Sequence, residues 1–169
     1  PGIASPATCQ TDEVSTTPPF HLTALDLRGR RVLVVGAGHV ATRRLERLLA
    51  CDAVIDVVAP VATETVERLA DEGRLRWFPR EVEAEDIPGA WFVLAATDSA
   101  SANALVVEAA EANHTFCVRS DLAAGGSART PTHLPMDDFL VGVIGNRDPR
   151  GARALRDRIA AALGQADPA

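Results

Sequence analysis

Short apolar runs alternate with amphipathic stretches from residue 31 almost to the end of the chain. Residues 31–35 (RVLVV) form a continuous β-branched run that stops at Gly36, the pattern of a strand buried on both faces of a parallel sheet. Over residues 40–50 the apolar Val40, Ala41, Leu45, Leu48 and Leu49 recur at helical spacing, with Arg43, Arg44, Glu46 and Arg47 opposite them. Residues 54–59 (VIDVVA) predict a second strand, stopped by Pro60. Residues 63–71 predict a second helix with Val66, Leu69 and Ala70 inward and Gly73 just past its end. Further strands are expected at 75–78, 90–96, 115–119 and 140–144, and further helices at 101–113 and 150–163, the last with Ala154, Leu155, Ile159 and Leu163 along one face. Strands alternating with helices of about ten residues imply βαβ units. The expected fold class is therefore α/β: a Rossmann-like, mostly parallel sheet followed by a smaller C-terminal β/α segment. The expected organisation is an arm over 1–20, a nucleotide-binding domain over 21–122 and a dimerisation segment with a C-terminal helix over 123–169.

Composition narrows the function classes. At 169 residues, 47% hydrophobic and 24% charged, the chain has the make-up of one globular domain with an appendage. Seventeen basic against 23 acidic residues give a net charge of −6, which argues against a nucleic-acid partner, and every basic residue is Arg. The three cysteines, Cys9, Cys51 and Cys117, form no C-x-x-C pair, so neither a disulfide framework nor a zinc site is expected; reduced thiols point to the cytoplasm. The histidines His21, His39, His114 and His133 show no metal-binding spacing, and no apolar run reaches the roughly 20 residues of a membrane span. Residues 1–20 carry four Pro among Ser, Thr and Ala without the basic-then-apolar order of a signal peptide, and predict a disordered arm. A first residue other than Met fits a processed or trimmed chain.

Chemistry enters at the end of the first strand. Gly36-Ala37-Gly38-His39-Val40-Ala41 is a G-x-G-x-x-A loop set between a strand and a helix. Gly36 permits the tight turn, Gly38 lets the backbone approach a pyrophosphate, and Ala41 allows close helix–strand packing. The helix start then offers free N–H groups and a positive dipole end to phosphates. An acid about 20 residues further on usually grips the adenosine ribose, and Asp56 lies 20 residues after Gly36. It falls inside the second strand rather than at its end, so two readings stand: Asp56 as ribose ligand, or an apolar wall of Ala59, Pro60 and Val61. NAD and NADP are not separated by this chemistry. His39 is either a phosphate contact or a solvent-facing turn residue.

Four segments carry a more specific likeness: LDLRGRRVLVVGAGHVATRRLERLLA, VVAP at 57–60, LAATDSASAN at 94–103 and FCVRSDLAAGGSARTP at 116–131. Over about residues 22–163 the chain resembles the precorrin-2 dehydrogenase/sirohydrochlorin ferrochelatase region of siroheme synthases, particularly the form of high-GC Gram-positive bacteria. The resemblance implies a Rossmann domain with a dimerisation segment, NAD⁺-dependent oxidation of precorrin-2 to sirohydrochlorin, and, in many members, insertion of Fe²⁺ as a second substrate. It places cofactor contacts at Gly36, Gly38, His39, Val40, Pro60, Val61, Thr97 and Asp98. It places the catalytic carboxylate at Asp121, which as a strand-end residue could accept the proton lost with the hydride. Asp98 has rival roles as ribose ligand or helix cap. Asp52 stands where the family usually has Gly, and Gly145–Pro149 replaces a Ser-Ser-Gly-Gly-type loop.

The substrate that the resemblance implies is a tetrapyrrole polycarboxylate, so local positive charge is expected on an acidic chain. Arg119, Arg129, Arg147 and Arg150 are the candidates, with Ser127 beside them. A homodimer is expected because residues 125–144 have too few helices to cover a strand of their own. Two other functions remain open at this level: a non-catalytic NAD(H)-sensing regulatory module, and a paralogue that only dimerises.

Overall fold

The computed structural model of the protein describes residues 20–122, 124–145 and 148–164. The expected arm over 1–20 lies outside them except for Phe20, as do Cys9 and Arg147. Five parallel strands form one sheet: β1 (Arg31–Val35), β2 (Val54–Val58), β3 (Arg76–Phe78), β4 (Phe92–Ala95) and β5 (Phe116–Arg119), in the order β3-β2-β1-β4-β5. Three helices cross between them: α1 (His39–Leu49), α2 (Glu64–Asp71) and α3 (Ala100–Ala112).

The continuous apolar runs make sense in this setting, because alternate residues of each strand enter opposite cores. Val32 and Val34 of β1 pack with Ala41 and Leu45 of α1 and Val66 and Leu69 of α2. Leu33 and Val35 pack on the other side, in the core that holds Val106 and Ala110 of α3. No side chain of β1 from Val32 onward is more than 1% exposed. The return from β3 to β4 uses only a single 3-10 turn, Ala84–Asp86.

Beyond the sheet, β6 (Thr132–Met136) and β7 (Phe139–Val143) form an antiparallel hairpin, against which α4 (Pro149–Ala162) packs. Strand β6 was not expected from the sequence; Pro131 precedes it and Pro135 lies within it. A two-stranded sheet leaves each strand a free edge, where a residue without an N–H disturbs no ladder. Helix α4 begins one residue before its expected start, with Pro149 in its first turn and the Asp148 carboxylate accepting from Gly151 N at 2.8 Å. It buries Ala152 and Ala160 and leaves Leu155 and Leu163 exposed, so the expected face is only partly the packed one.

One of the two readings of Asp56 is excluded at β2. The Asp56 carboxylate is 3% exposed and is held by three hydrogen bonds: Arg31 Nε at 2.7 Å, Arg76 Nε at 2.7 Å and Arg76 Nη2 at 3.0 Å. It is a structural ion pair within the sheet, not a ribose ligand, because it is buried in mid-strand. The Gly-to-Asp departure at position 52 also has a location: Asp52 adopts φ 53°, a left-handed conformation that Asp tolerates better than most residues.

Replacing Asp56 with Ala leaves two guanidinium groups facing a cavity. Because Arg76 reaches solvent, the expected loss is at the low end for a broken buried pair, about 3 kcal/mol, read as a lowered urea midpoint. An unchanged midpoint would contradict the structural role.

Candidate active site

The site forms where β1 and β4 end. Gly36 has φ 100°, and a Cβ on it would lie 2.4 Å from the Ala96 carbonyl oxygen. Only glycine permits this approach. The same turn is tied to both neighbours, by Gly36 N donating to Val58 O at 2.9 Å and Ala96 N donating to Val35 O at 2.8 Å. Gly38 is a glycine for a different reason. Its φ of −78° suits any residue, and a Cβ there would meet nothing within 4 Å. The protein itself makes no demand for glycine at this position, so the open space above it suits close approach by a ligand. Gly38 caps α1 without a side chain, which leaves the first N–H groups of the helix free of side-chain partners.

Around this loop lies a cleft of about 640 Å³. Gly36, Gly38, His39, Val40, Pro60, Val61, Thr97 and Asp98, drawn from three strand ends, all line it together with Asp121. Val40 is 46% exposed and turns to the cleft rather than into the core. Two further lining residues lie outside every segment singled out in the sequence: Glu81 and Val82. Nothing local marked them, since each depends on where a neighbouring strand ends. The Ser120 hydroxyl is buried without a hydrogen-bond partner.

The Thr97-Asp98 corner is fixed by Asn103, fully buried in α3. Its Oδ1 accepts from Thr97 N at 3.1 Å and Thr97 Oγ1 at 2.8 Å, and its Nδ2 donates to Thr97 O at 2.9 Å. This explains why an Asn follows A-A-T-D at that spacing. The cap of α3 is Ser99, whose hydroxyl accepts from Ala102 N at 3.2 Å, so the capping role considered for Asp98 falls to its neighbour. Asp98 is left exposed at the cleft.

Asp121 follows β5 and is clasped by Arg119, with Nε to Oδ1 at 2.8 Å and Nη2 to Oδ2 at 2.9 Å. That pair, chiefly through its hydrogen bonds, lowers the Asp121 pKa below the ordinary carboxylate value. The Arg119 guanidinium also donates to Ala100 O at 3.2 Å, so it is engaged within the protein. Ser127 accepts from Cys117 N at 3.1 Å, and Ala128 N donates to Cys117 O at 2.9 Å, so this segment covers the free edge of β5. Gly126 makes the closeness feasible, since a Cβ there would lie 2.4 Å from Cys117 O. Arg129 lies over the Phe20 ring, 4.2 Å from its centroid. Arg119, Ser127 and Arg129 are therefore not brought into the cleft lining, and Arg147 lies outside the described residues. Arg150 is exposed at the start of α4.

A family model described as "Putative NAD(P)-binding" matches residues 23–132. The siroheme synthase of Actinobacillus pleuropneumoniae serotype 3 is 41% identical over 140 residues, which cover 82% of this chain and 29% of that protein. The precorrin-2 dehydrogenase of Bacillus subtilis is 34% identical over 92 residues, 54% of this chain and 55% of that one. The solved structure of SirC, a precorrin-2 dehydrogenase, superposes with a TM-score of 0.76 at 25% identity, covering 85% of this chain and 71% of the other. The chain belongs to the NAD(P)-binding family of siroheme synthases and precorrin-2 dehydrogenases. It spans under a third of the siroheme synthase and about half of the Bacillus enzyme. These relatives give no support to the particular lineage expected from the sequence.

The site's own chemistry fits the family's dinucleotide: a backbone ridge open above Gly38, an uncapped helix start and apolar walls at Ala59 and Val61. The two glycines are separable by experiment. Gly36→Ala should cost roughly 3 kcal/mol or prevent folding, since the displaced atoms are backbone. Gly38→Ala should leave thermal stability within about 0.5 kcal/mol of the parent. Its dinucleotide affinity, measured by calorimetry, should nevertheless fall at least about tenfold, through steric exclusion at the phosphates. A Gly38→Ala protein that binds as tightly as the parent would contradict the cradle.

Proposed function

We propose that the protein is an NAD⁺-dependent precorrin-2 dehydrogenase that produces sirohydrochlorin, the dehydrogenase part of siroheme formation in the cytoplasm. The observation that carries this reading is the convergence of the eight cofactor positions and Asp121 on one cleft. NAD⁺ supplies the hydride acceptor. The helix start at Gly38–Val40 binds its phosphates, and Pro60 and Val61 bound the adenosine side. Thr97 and Asp98, fixed by Asn103, border the redox end beside Asp121.

The oxidation removes a hydride and a proton from the tetrapyrrole, and the Asp121 carboxylate accepts the proton. Arg119 sets its state. A carboxylate with a lowered pKa is ionised throughout the neutral range, always available and quick to pass a proton on to water, though a weak base. The same oxygens suit relay of Fe²⁺ as a substrate in a chelatase step, since a divalent ion entering the macrocycle needs only transient oxygen ligands while the two pyrrole N–H protons it displaces pass by way of the carboxylate to water.

Anaerobic turnover of precorrin-2 with NAD⁺, followed by NADH and sirohydrochlorin absorbance, tests this reading. Asp121→Asn should lower kcat about 100-fold or more while NAD⁺ affinity survives. In the parent, loss of rate from protonating Asp121 should appear only below the ordinary carboxylate range. Arg119→Gln removes the cause of the lowered pKa, so the acid limb should move up toward the ordinary carboxylate range. Binding of NAD⁺ with no turnover by the parent would favour a sensing module instead.

The cleft also argues for a second copy of the chain. Its carboxylates are Glu81, Asp98 and Asp121, and no Arg lines it among the described residues, whereas the proposed substrate is a polycarboxylate. The hairpin leaves Phe139 76% and Leu140 66% exposed, and α4 leaves Leu155 and Leu163 uncovered. A homodimer formed through this segment covers the apolar face and brings arginines of α4 toward the partner's cleft. Light scattering should give twice the chain mass at micromolar concentration; a monomer there would refute the dimer.

A further inference from the structure

The withdrawal of Asp56 into the sheet leaves the adenosine side of the cleft without its usual acid, and a different residue occupies that side. In a dinucleotide fold the adenosine lies beyond the carboxyl ends of the strands next to β1, here β2 and β3, with the redox end toward β4 and β5. Asp98 and Asp121 follow β4 and β5. Glu81, three residues after β3, is the carboxylate of the cleft lining on the β2–β3 side. Glu64 borders a separate hollow with Thr42, Thr63 and His39.

Glu81 is an exposed side chain on a firmly held backbone. On one side Arg80 donates to the Glu81 carbonyl at 2.9 Å and clasps the Asp86 carboxylate at 2.8 and 2.5 Å. On the other, Val82 packs against the core that contains Val58. The Asp86 carboxylate also accepts from Glu83 N at 2.9 Å. Below, Arg31 donates to the carbonyls of Asp86 and Pro88, both at 2.9 Å, while its Nε holds Asp56. Asp56 thus anchors, through Arg31, the crossover that carries Glu81. Arg80, the cation nearest Glu81 in sequence, is tied to Asp86 and does not line the cleft.

We propose that Glu81 determines which dinucleotide this cleft accepts, by presenting negative charge to the adenosine ribose and so excluding a 2′-phosphate. The inference rests on the dinucleotide-binding reading above and assigns its adenosine specificity to a residue outside the glycine loop. A 2′-phosphate adds about two negative charges next to a carboxylate, with no Arg among the described residues of the lining to offset them.

The test is calorimetric titration of the whole chain with NAD⁺ and NADP⁺, for the parent, Glu81→Gln, Glu81→Lys and Glu85→Gln. Glu85 is exposed on the same crossover but does not line the cleft, so its variant matches the change in net charge. The parent should favour NAD⁺, and the preference should narrow as salt is raised. Glu81→Gln should reduce the NADP⁺/NAD⁺ ratio of Kd values about tenfold, mainly by tighter NADP⁺ binding, and Glu81→Lys should reduce it further. Glu85→Gln should leave the ratio as it was. An unchanged ratio in Glu81→Gln and Glu81→Lys, with NAD⁺ still bound, overturns the role of Glu81 alone. A folded parent that binds neither dinucleotide overturns the cofactor reading and this inference with it.

Discussion

The site depends on how closely the backbone turn after β1 approaches the end of β4. With φ 100° at Gly36 and the Ala96 carbonyl 2.4 Å from where a Cβ would stand, the turn can leave β1 only as glycine. That contact lies at the point where the strand order reverses, since β2 and β3 run to one side of β1 and β4 and β5 to the other. Adjacent crossovers leave in opposite directions there, and a crevice opens between them. The start of α1, the loop after β2, the Thr97-Asp98 corner and Asp121 are all brought together by that geometry. Chemistry comes from residues that share no local sequence, joined because their strands are parallel and in register.

Charge in this chain works mainly in pairs. Asp56 engages Arg31 and Arg76, Asp86 engages Arg80, and Asp121 engages Arg119. The first two arrangements are scaffolding that ties β1, β2, β3 and the β3–β4 crossover together. In the third, the arginine that positions Asp121 also lowers its proton affinity. Arginine suits all three: its planar fork can satisfy two carboxylate oxygens together, or a carboxylate and a carbonyl. A consequence is that, among the described residues, no arginine lines the cleft.

What was legible in the sequence was local. The glycine loop, the buried runs of β1, β2 and β4 and the inward faces of α1 and α2 can be read from a few consecutive residues. What was not legible depended on partners far along the chain. Asp56 has the spacing of a ribose ligand, but its partners stand 25 and 20 residues away, at Arg31 and Arg76. Strand β6 hid behind Pro131 and Pro135, because an edge position tolerates what an interior one does not. Ser127 and Arg129 sit in the segment that carries the family likeness, yet one caps a strand edge and the other stacks on Phe20. Glu81 had no motif at all; its place follows only from where β3 ends.

A crystal structure of the protein with NAD⁺ bound addresses the central claim most directly, that one cleft at the ends of β1, β2 and β4 holds the dinucleotide beside Asp121. The account predicts pyrophosphate against the backbone of Gly38–Val40, adenosine by Pro60 and Val61, and nicotinamide next to Thr97 and Asp121, with the Asp56 pairs intact. A ribose held by Asp56, or a nicotinamide directed away from Asp121, would contradict it.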